Sequence, residues 1–305
     1  IQTTQETVGE TRNNAEICCG STIEDLTARA KEAHDRRIRE TVKKTYAAAI
    51  QQNSCCGTSD QPSAAMQTAL KATKLGYQQG ELAEVPENAT KSSFGCGNPL
   101  AFSGVTEGDT IVDLGSGAGL DCFLAAKRVG PTGKVIGLDM TPEMIEKARS
   151  NAREGGYINV EFRLGEMEAM PIDDNSVDWV ISNCVINLSP DKETVFREAF
   201  RVLKAGGRIL ISDIVTQGVP DEIKRAYFSW SGCLGGALEE KEYLDVISKA
   251  GFQEVKIVSK MENFLSSIYN RPLERLTDFG KKVREEYPEE YVRRIHSIQV
   301  YAEKH

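Results

Sequence analysis

Ile111-Val112-Asp113-Leu114-Gly115-Ser116-Gly117-Ala118-Gly119 reads as a strand, a glycine turn and the start of a helix. Glycines in such a turn let a ligand approach the backbone where side chains would clash. In open parallel sheets, ligands bind in the crevice outside the carboxyl ends of the strands. The turn therefore marks the ligand-binding end of a Rossmann-like sheet. Outward from it, strand and helix patterns alternate. Strand-length apolar runs cover 110–114, 134–138, 160–164, 177–181, 208–215 and 254–258, with an alternating closing strand at 298–302. Helical patterns cover 119–129, 141–154, 192–203, 221–230 and 241–250. Thr141 reads as an N-cap with Pro142 at the first helical position. The helix over 192–203 is expected to stop at Gly206-Gly207. This alternation predicts an α/β fold with a doubly wound, mostly parallel, seven-stranded sheet.

Upstream, apolar or alanine positions recur at helical spacing over 22–52 and predict one or two amphipathic helices. A further short helix is expected over 63–80. The polar, aperiodic stretch 1–20 reads as a disordered tail. Four regions follow: the tail (1–20), a helical, cysteine-bearing amino-terminal extension (21–93), the ligand-binding domain (94–260), and a carboxyl-terminal segment (261–305). That last segment carries a charged helix over 279–291 before its strand.

Composition narrows the function. The 305 residues carry a formal net charge of −8 and no basic block. A nucleic-acid partner is not expected, because nonspecific affinity comes mainly from Lys and Arg on phosphates. The longest apolar stretches are strand-length, so no membrane span is expected. The polar amino terminus shows no secretory apolar core, and its lack of a Met suggests a processed start. The expected location is the cytoplasm. Eight cysteines, at 18, 19, 55, 56, 96, 122, 184 and 233, then read as reduced, ligating or catalytic rather than as a disulfide framework. No C-x-x-C knuckle occurs, and His34, His296 and His305 are the only histidines. That combination argues against zinc and suits a large, soft, thiophilic guest.

Two ligand signals converge on the strand ends. Asp139 lies 24 residues after Gly115, where an acidic side chain can accept both ribose hydroxyls, and Met140 follows it. Asp139 also has the option of capping the next helix. Gly165-Glu166-Met167-Glu168 follows the third strand and offers a carboxylate and a backbone amide to an adenine. Asp113 at the end of the first strand suits a cationic ligand better than an anionic diphosphate. The set Asp113, Gly115, Gly117, Gly119, Asp139, Met140, Gly165, Glu166, Met167 and Asn183 fits S-adenosylmethionine, a methyl donor rather than a hydride carrier. The second signal is Ser182-Asn183-Cys184-Val185-Ile186-Asn187-Leu188, which puts a thiol just past the fourth strand. Asn183 can contact donor or backbone, and Asn187 reads as closing the turn before Pro190. Cys122, on the helix after the glycine turn, reads as a small core residue.

The strings Phe94-Gly95-Cys96-Gly97-Asn98-Pro99, Asp113 to Gly119, Ser182 to Leu188 and Gly232-Cys233-Leu234-Gly235-Gly236-Ala237 resemble those of the arsenite S-adenosylmethionine methyltransferases. The resemblance runs from about Lys43 to Lys260 with the motifs in order. It implies a class I methyltransferase fold and an arsenite-methylating, detoxifying activity that passes through methylated arsenicals. It also implies that Cys96, Cys184 and Cys233 ligate arsenic. Cys55 or Cys56 would supply a further redox-active thiol, restored by thioredoxin or glutathione. The chemistry is consistent: trivalent arsenic is thiophilic, and its lone pair is a nucleophile with no proton to remove, so the reaction demands alignment. Glu239 and Glu240 read as a solvated helix start, with a carboxylate near an arsenic hydroxyl as the alternative. Two rival functions are a methyltransferase for a quinone-like acceptor and a non-enzymatic arsenic-binding sensor.

Overall fold

The computed structural model describes residues 23–51, 77, 80, 82, 85–91, 97–100, 104–222, 224, 234–262, 270, 272–275, 281, 284–285 and 288–305. Residues Ile38–His305 form one compact unit and Ile1–Arg37 another. Cys18, Cys19, Cys55, Cys56, Cys96 and Cys233 lie outside the described residues, as do the whole of the expected tail and most of the helix expected over 63–80.

Short, strand-length apolar runs build the sheet. Its strands are β1 (Thr110–Leu114), β2 (Lys134–Asp139), β3 (Val160–Leu164), β4 (Val177–Asn183), β5 (Leu203–Thr216), β6 (Gln253–Met261) and β7 (Ile295–Glu303). They lie in the order β3-β2-β1-β4-β5-β7-β6. β1 to β5 pair in parallel, and β7 runs antiparallel between β5 and β6. Central parallel strands are covered on both faces, which is why β1 and β4 read as continuous apolar runs. Ile111 belongs to one core cluster and Val112 to the other, following the two-residue period of a strand. The strand order reverses between β1 and β4, where Leu114 pairs with Ser182. A crevice opens at such a switch point.

The helices are α1 (Ile23–Gln51), α2 (Glu87–Lys91), α3 (Leu120–Val129), α4 (Pro142–Gly155), α5 (Lys192–Val202), α6 (Glu240–Lys249) and α7 (Glu289–Val292). Phe123 of α3 and Ile145 of α4 pack on one face of the sheet. Phe196 of α5 and Tyr243 of α6 pack on the other. No described helix is long and apolar enough to cross a membrane.

Several boundaries correct the sequence reading. The stretch 22–52 forms one helix, not two. α5 does not run on to Gly206-Gly207. It ends at Val202, because Leu203 is extended and buried and starts β5, pairing with Val177 of β4. The two glycines lie inside β5, where Gly206 N–H donates to Lys304 C=O and Lys304 N–H to Gly207 C=O. The charged helix over 279–291 is not one helix: Pro288 is extended and stands as N-cap of the separate α7. β4 runs two residues further than expected and takes in Ser182 and Asn183. Asn187 does not close the turn before Pro190. Its Nδ2 donates to Ile214 C=O (2.6 Å), tying the 3-10 turn Ile186–Leu188 to β5.

Candidate active site

The glycine turn is held from both ends. Gly115 and Ser116 N–H groups donate to Leu138 C=O at 2.7 and 3.0 Å, closing β1 onto β2. Asp139 Oδ2 accepts from Gly117 N–H (3.0 Å) and Oδ1 from Thr141 N–H (2.8 Å). Asp139 therefore fastens the turn and supplies the start of α4 with the side-chain acceptor that Thr141 does not provide. Gly115 and Gly117 both take positive φ, +66° and +51°. A Cβ on Gly115 would lie 2.3 Å from Val185 Cγ1, whereas one on Gly117 would meet nothing within 4 Å. Gly115 is required for close packing, and Gly117 leaves space.

That space is a crevice of about 990 Å³, counting its mouth, at the ends of β1, β2 and β4. Of the predicted residues, Asp113, Gly115, Gly117, Asp139, Met140, Gly165, Met167, Asn183 and Cys184 line it. Gly119 packs instead against Phe123 and Phe162. Glu166 faces Arg39 at 3.5 Å. The sequence reading missed Ser116 and Asp121, and also Arg39, Val42 and Tyr46 of α1, all of which line the crevice. Ser116 stands between two glycines of the turn, and that position is a usable signal. The stripe Arg39, Val42, Tyr46 marks a helix face, but nothing local says what the face covers.

The walls favour a cation. Asp113 and Asp121 are 2 % and 7 % exposed. Burial, and then the charge of Asp121, push the Asp113 carboxyl well above the usual carboxylate range, against a hydrogen bond from the Cys122 thiol (3.3 Å). Burial raises Asp121 too, opposed by hydrogen bonds from Tyr77 Oη (2.7 Å) and Asn183 Nδ2 (3.1 Å). Asp139 is raised by burial and steadied by the N–H groups of Thr141 and Gly117. Carboxylates whose ionised forms are penalised by burial gain from a bound positive charge. Ser116 Oγ is buried and has no hydrogen-bond partner. An orphaned hydroxyl, an open glycine and three acidic walls fit a polar, cationic nucleoside.

Cys184 follows β4 with φ +65°, a left-handed conformation that is uncommon outside glycine. It is 4 % exposed, and its N–H donates to Ser212 C=O at 2.7 Å. Its sulfur is disulfide-bonded. Cys122, the other described cysteine, is free and buried. Cys122 packs in the core as expected, and burial pushes its thiol up. Glu239 is an anchor rather than a solvated helix start. It accepts from Thr216 Oγ1 (2.6 Å), Gly218 N–H (2.6 Å) and Val219 N–H (3.4 Å). Glu240 pairs with Lys260 at 2.6 Å.

Residues 105–251 match the family described as "Methyltransferase domain". The arsenite methyltransferase of Halobacterium salinarum is 46 % identical over 74 % of this chain and 60 % of its own length. The human arsenite methyltransferase is 40 % identical over 64 % of this chain and 53 % of its own. The crystal structure of an arsenic(III) S-adenosylmethionine methyltransferase from Chlamydomonas reinhardtii superposes with a TM-score of 0.56 at 32 % identity. That match covers 80 % of this chain and 75 % of that one. The chain thus spans less than two thirds of the length of the curated relatives it matches.

Proposed function

The chain belongs to the arsenite S-adenosylmethionine methyltransferase family, and from that membership we propose that it methylates trivalent arsenic, first arsenite and then methylated arsenicals, as a detoxifying enzyme. One observation carries the reading: Cys184 stands at the end of β4 on the wall of the crevice that the glycine turn of β1 also lines. When bound, S-adenosylmethionine supplies an electrophilic methyl group on a sulfonium. Asp113 and Asp121 balance its positive charge, Ser116 Oγ and the open face of Gly117 receive it, and Asp139, Met140, Gly165 and Met167 enclose its nucleoside. Gly119, by packing on Phe123, holds α3 behind the turn.

Cys96, Cys184 and Cys233 hold arsenic as thiolates, leaving its lone pair as the nucleophile. No side chain needs to remove a proton. This agrees with the absence of histidine from the described crevice lining. Each methyl transfer would break the methyl–sulfonium bond, form an arsenic–carbon bond, release S-adenosylhomocysteine and raise arsenic from the trivalent to the pentavalent state. Two of the arsenic-bound thiolates would return it to the trivalent state: their two arsenic–sulfur bonds break, the sulfurs join as a disulfide and one electron pair stays on arsenic, with Cys55 or Cys56 as the further redox-active thiol. A thiol reductant such as thioredoxin or glutathione then restores the pair by exchange. Chemistry of this kind belongs in a reducing cytoplasm.

The test uses purified protein with arsenite, glutathione and methyl-labelled donor. Cys96→Ser, Cys184→Ser and Cys233→Ser should each abolish arsenite methylation and leave donor affinity within a few-fold. Full activity in Cys184→Ser overturns the proposal.

A further inference from the structure

Asn183 lines the crevice, yet its side chain is engaged on the protein side. Its Oδ1 accepts from Gly97 N–H (3.1 Å), and its Nδ2 donates to Gly97 C=O (2.7 Å). Two opposed hydrogen bonds to one residue fix that backbone in rotation as well as distance. The same Nδ2 lies 2.8 Å from Tyr77 Oη and 3.1 Å from Asp121 Oδ2, while Tyr77 Oη donates to Asp121 Oδ1 at 2.7 Å. Tyr77, Asp121 and Asn183 are all buried. An amide has one acceptor oxygen and two N–H donors; with three acceptors around Nδ2, the longest contact, to Asp121 Oδ2, shares a hydrogen with one of the two shorter bonds.

Gly97 is gripped from a second side. A Cβ there would sit 2.7 Å from Ser212 Oγ, so the chain lies directly against β5. The carbonyl of that same Ser212 accepts the Cys184 N–H. Gln299 Nε2 of β7 donates to Asn98 C=O (2.8 Å) and to Ser212 Oγ (3.1 Å). Gly97 and Cys184 therefore share two neighbours, Asn183 and Ser212. Asn183 directly precedes Cys184 in the chain, and Gly97 directly follows Cys96. The clamp joins the backbone beside one proposed arsenic ligand to the backbone beside another.

We infer that Asn183 is a positioning residue that sets how closely Cys96 and Cys184 meet around one arsenic atom, with Tyr77 and Asp121 holding its amide in register. The inference rests on the reading of those two cysteines as arsenic ligands. Tyr77 also couples the clamp to the donor pocket, because it bonds the Asp121 that lines the crevice.

The equilibrium of the Cys96–Cys184 pair with dithiothreitol tests this without arsenic or donor. In forming the disulfide, the two thiols pass two electrons and two protons to oxidised dithiothreitol, which becomes the dithiol. Peptide mapping identifies the pair. Asn183→Ala should lower its effective concentration by about tenfold, which for a two-electron couple makes the potential about 30 mV less negative. The KM for arsenite should rise by about the same factor. Tyr77→Phe should move the potential in the same direction by less, and it decides the matter if Asn183→Ala does not fold. An unmoved potential and KM in folded variants overturn the inference. So does mapping that never joins Cys96 to Cys184. If the potential shifts but the wild type fails to methylate arsenite, the clamp stands and the proposed function fails. A methylating wild type with an unmoved potential sinks the clamp alone.

Discussion

Alanine at Gly115 and at Gly117 should give opposite outcomes, although the two positions are separated by a single residue. Both adopt positive φ, and a Cβ in that region costs about 1–2 kcal/mol. At Gly115 the new methyl would also lie 2.3 Å from Val185 Cγ1 and 2.5 Å from Cγ2. Overpacking of that kind adds about 1–3 kcal/mol, so Gly115→Ala should cost about 2–5 kcal/mol in all. At Gly117 the methyl meets no protein atom within 4 Å, and the cost stays at about 1–2 kcal/mol. Each kcal/mol lowers Tm by about 2–4 °C in a domain of this size. Melting curves without donor should therefore separate the two variants clearly. Titration calorimetry with S-adenosylmethionine should then reverse the order of damage for binding. The Gly117 methyl points into the crevice and should weaken the donor at least tenfold, about 1.4 kcal/mol. Adding Val185→Gly to Gly115→Ala removes all three contacting atoms, Cγ1, Cγ2 and the Cβ at 2.7 Å, and should recover the overpacking part as a coupling of about 1–3 kcal/mol. Wild-type donor affinity in Gly117→Ala, or a loss of stability equal to that of Gly115→Ala, would refute the view that the donor lies over Gly117.

Asp213 is buried and accepts from Asn187 N–H, Ile214 N–H and Tyr243 Oη, and burial pushes it to about 6. The folded state holds this proton more tightly than the unfolded chain, whose carboxyl titrates near 3.9. The stability that Asp213 contributes should thus be fully present below about pH 4 and be lost, to the extent of roughly 3 kcal/mol, as pH rises to about 6. Asp213→Asn should flatten that slope in urea melts at pH 4.5 and 7, and an unchanged slope counts against the assignment. Arg39→Ala removes the ion pairs to Glu166 and Glu168 (3.5 and 3.6 Å). It should cost no more than about 1 kcal/mol, and the difference should vanish in about 1 M salt. Cys122→Ala breaks the hydrogen bond to Asp113 and should lower stability by about 1 kcal/mol. Arsenite methylation should survive the change; its loss would make Cys122 part of the thiol site.

The strands were legible because burial on both faces leaves a local record. β1 and β3 match their predicted bounds, and β2 and β4 run one and two residues longer. The Gly206-Gly207 reading failed because glycine marks a helix end only where nothing stronger competes. Here Leu203 is drawn into the sheet, and the glycines pair with the segment around Lys304. Asp139 was legible as an acid at a strand end, including its option of holding the next helix. Asp121 was not, since on a helix pattern it resembles any first-turn carboxylate. Its burial against Tyr77, 44 residues upstream, is what makes it part of the site.

Local periodicity and turn chemistry by themselves determined the α/β class, the glycine cradle at the end of β1 and the thiol at the end of β4, because each is written in consecutive residues. The tertiary structure alone decided which distant groups meet there. Asn183 reaches Gly97 across 86 residues and Tyr77 across 106. Three carboxylates acquire raised affinities for protons, and so a preference for a cation, from neighbours that no window of sequence contains. Chain order records what precedes what, but burial and hydrogen bonding depend on what the sheet brings alongside.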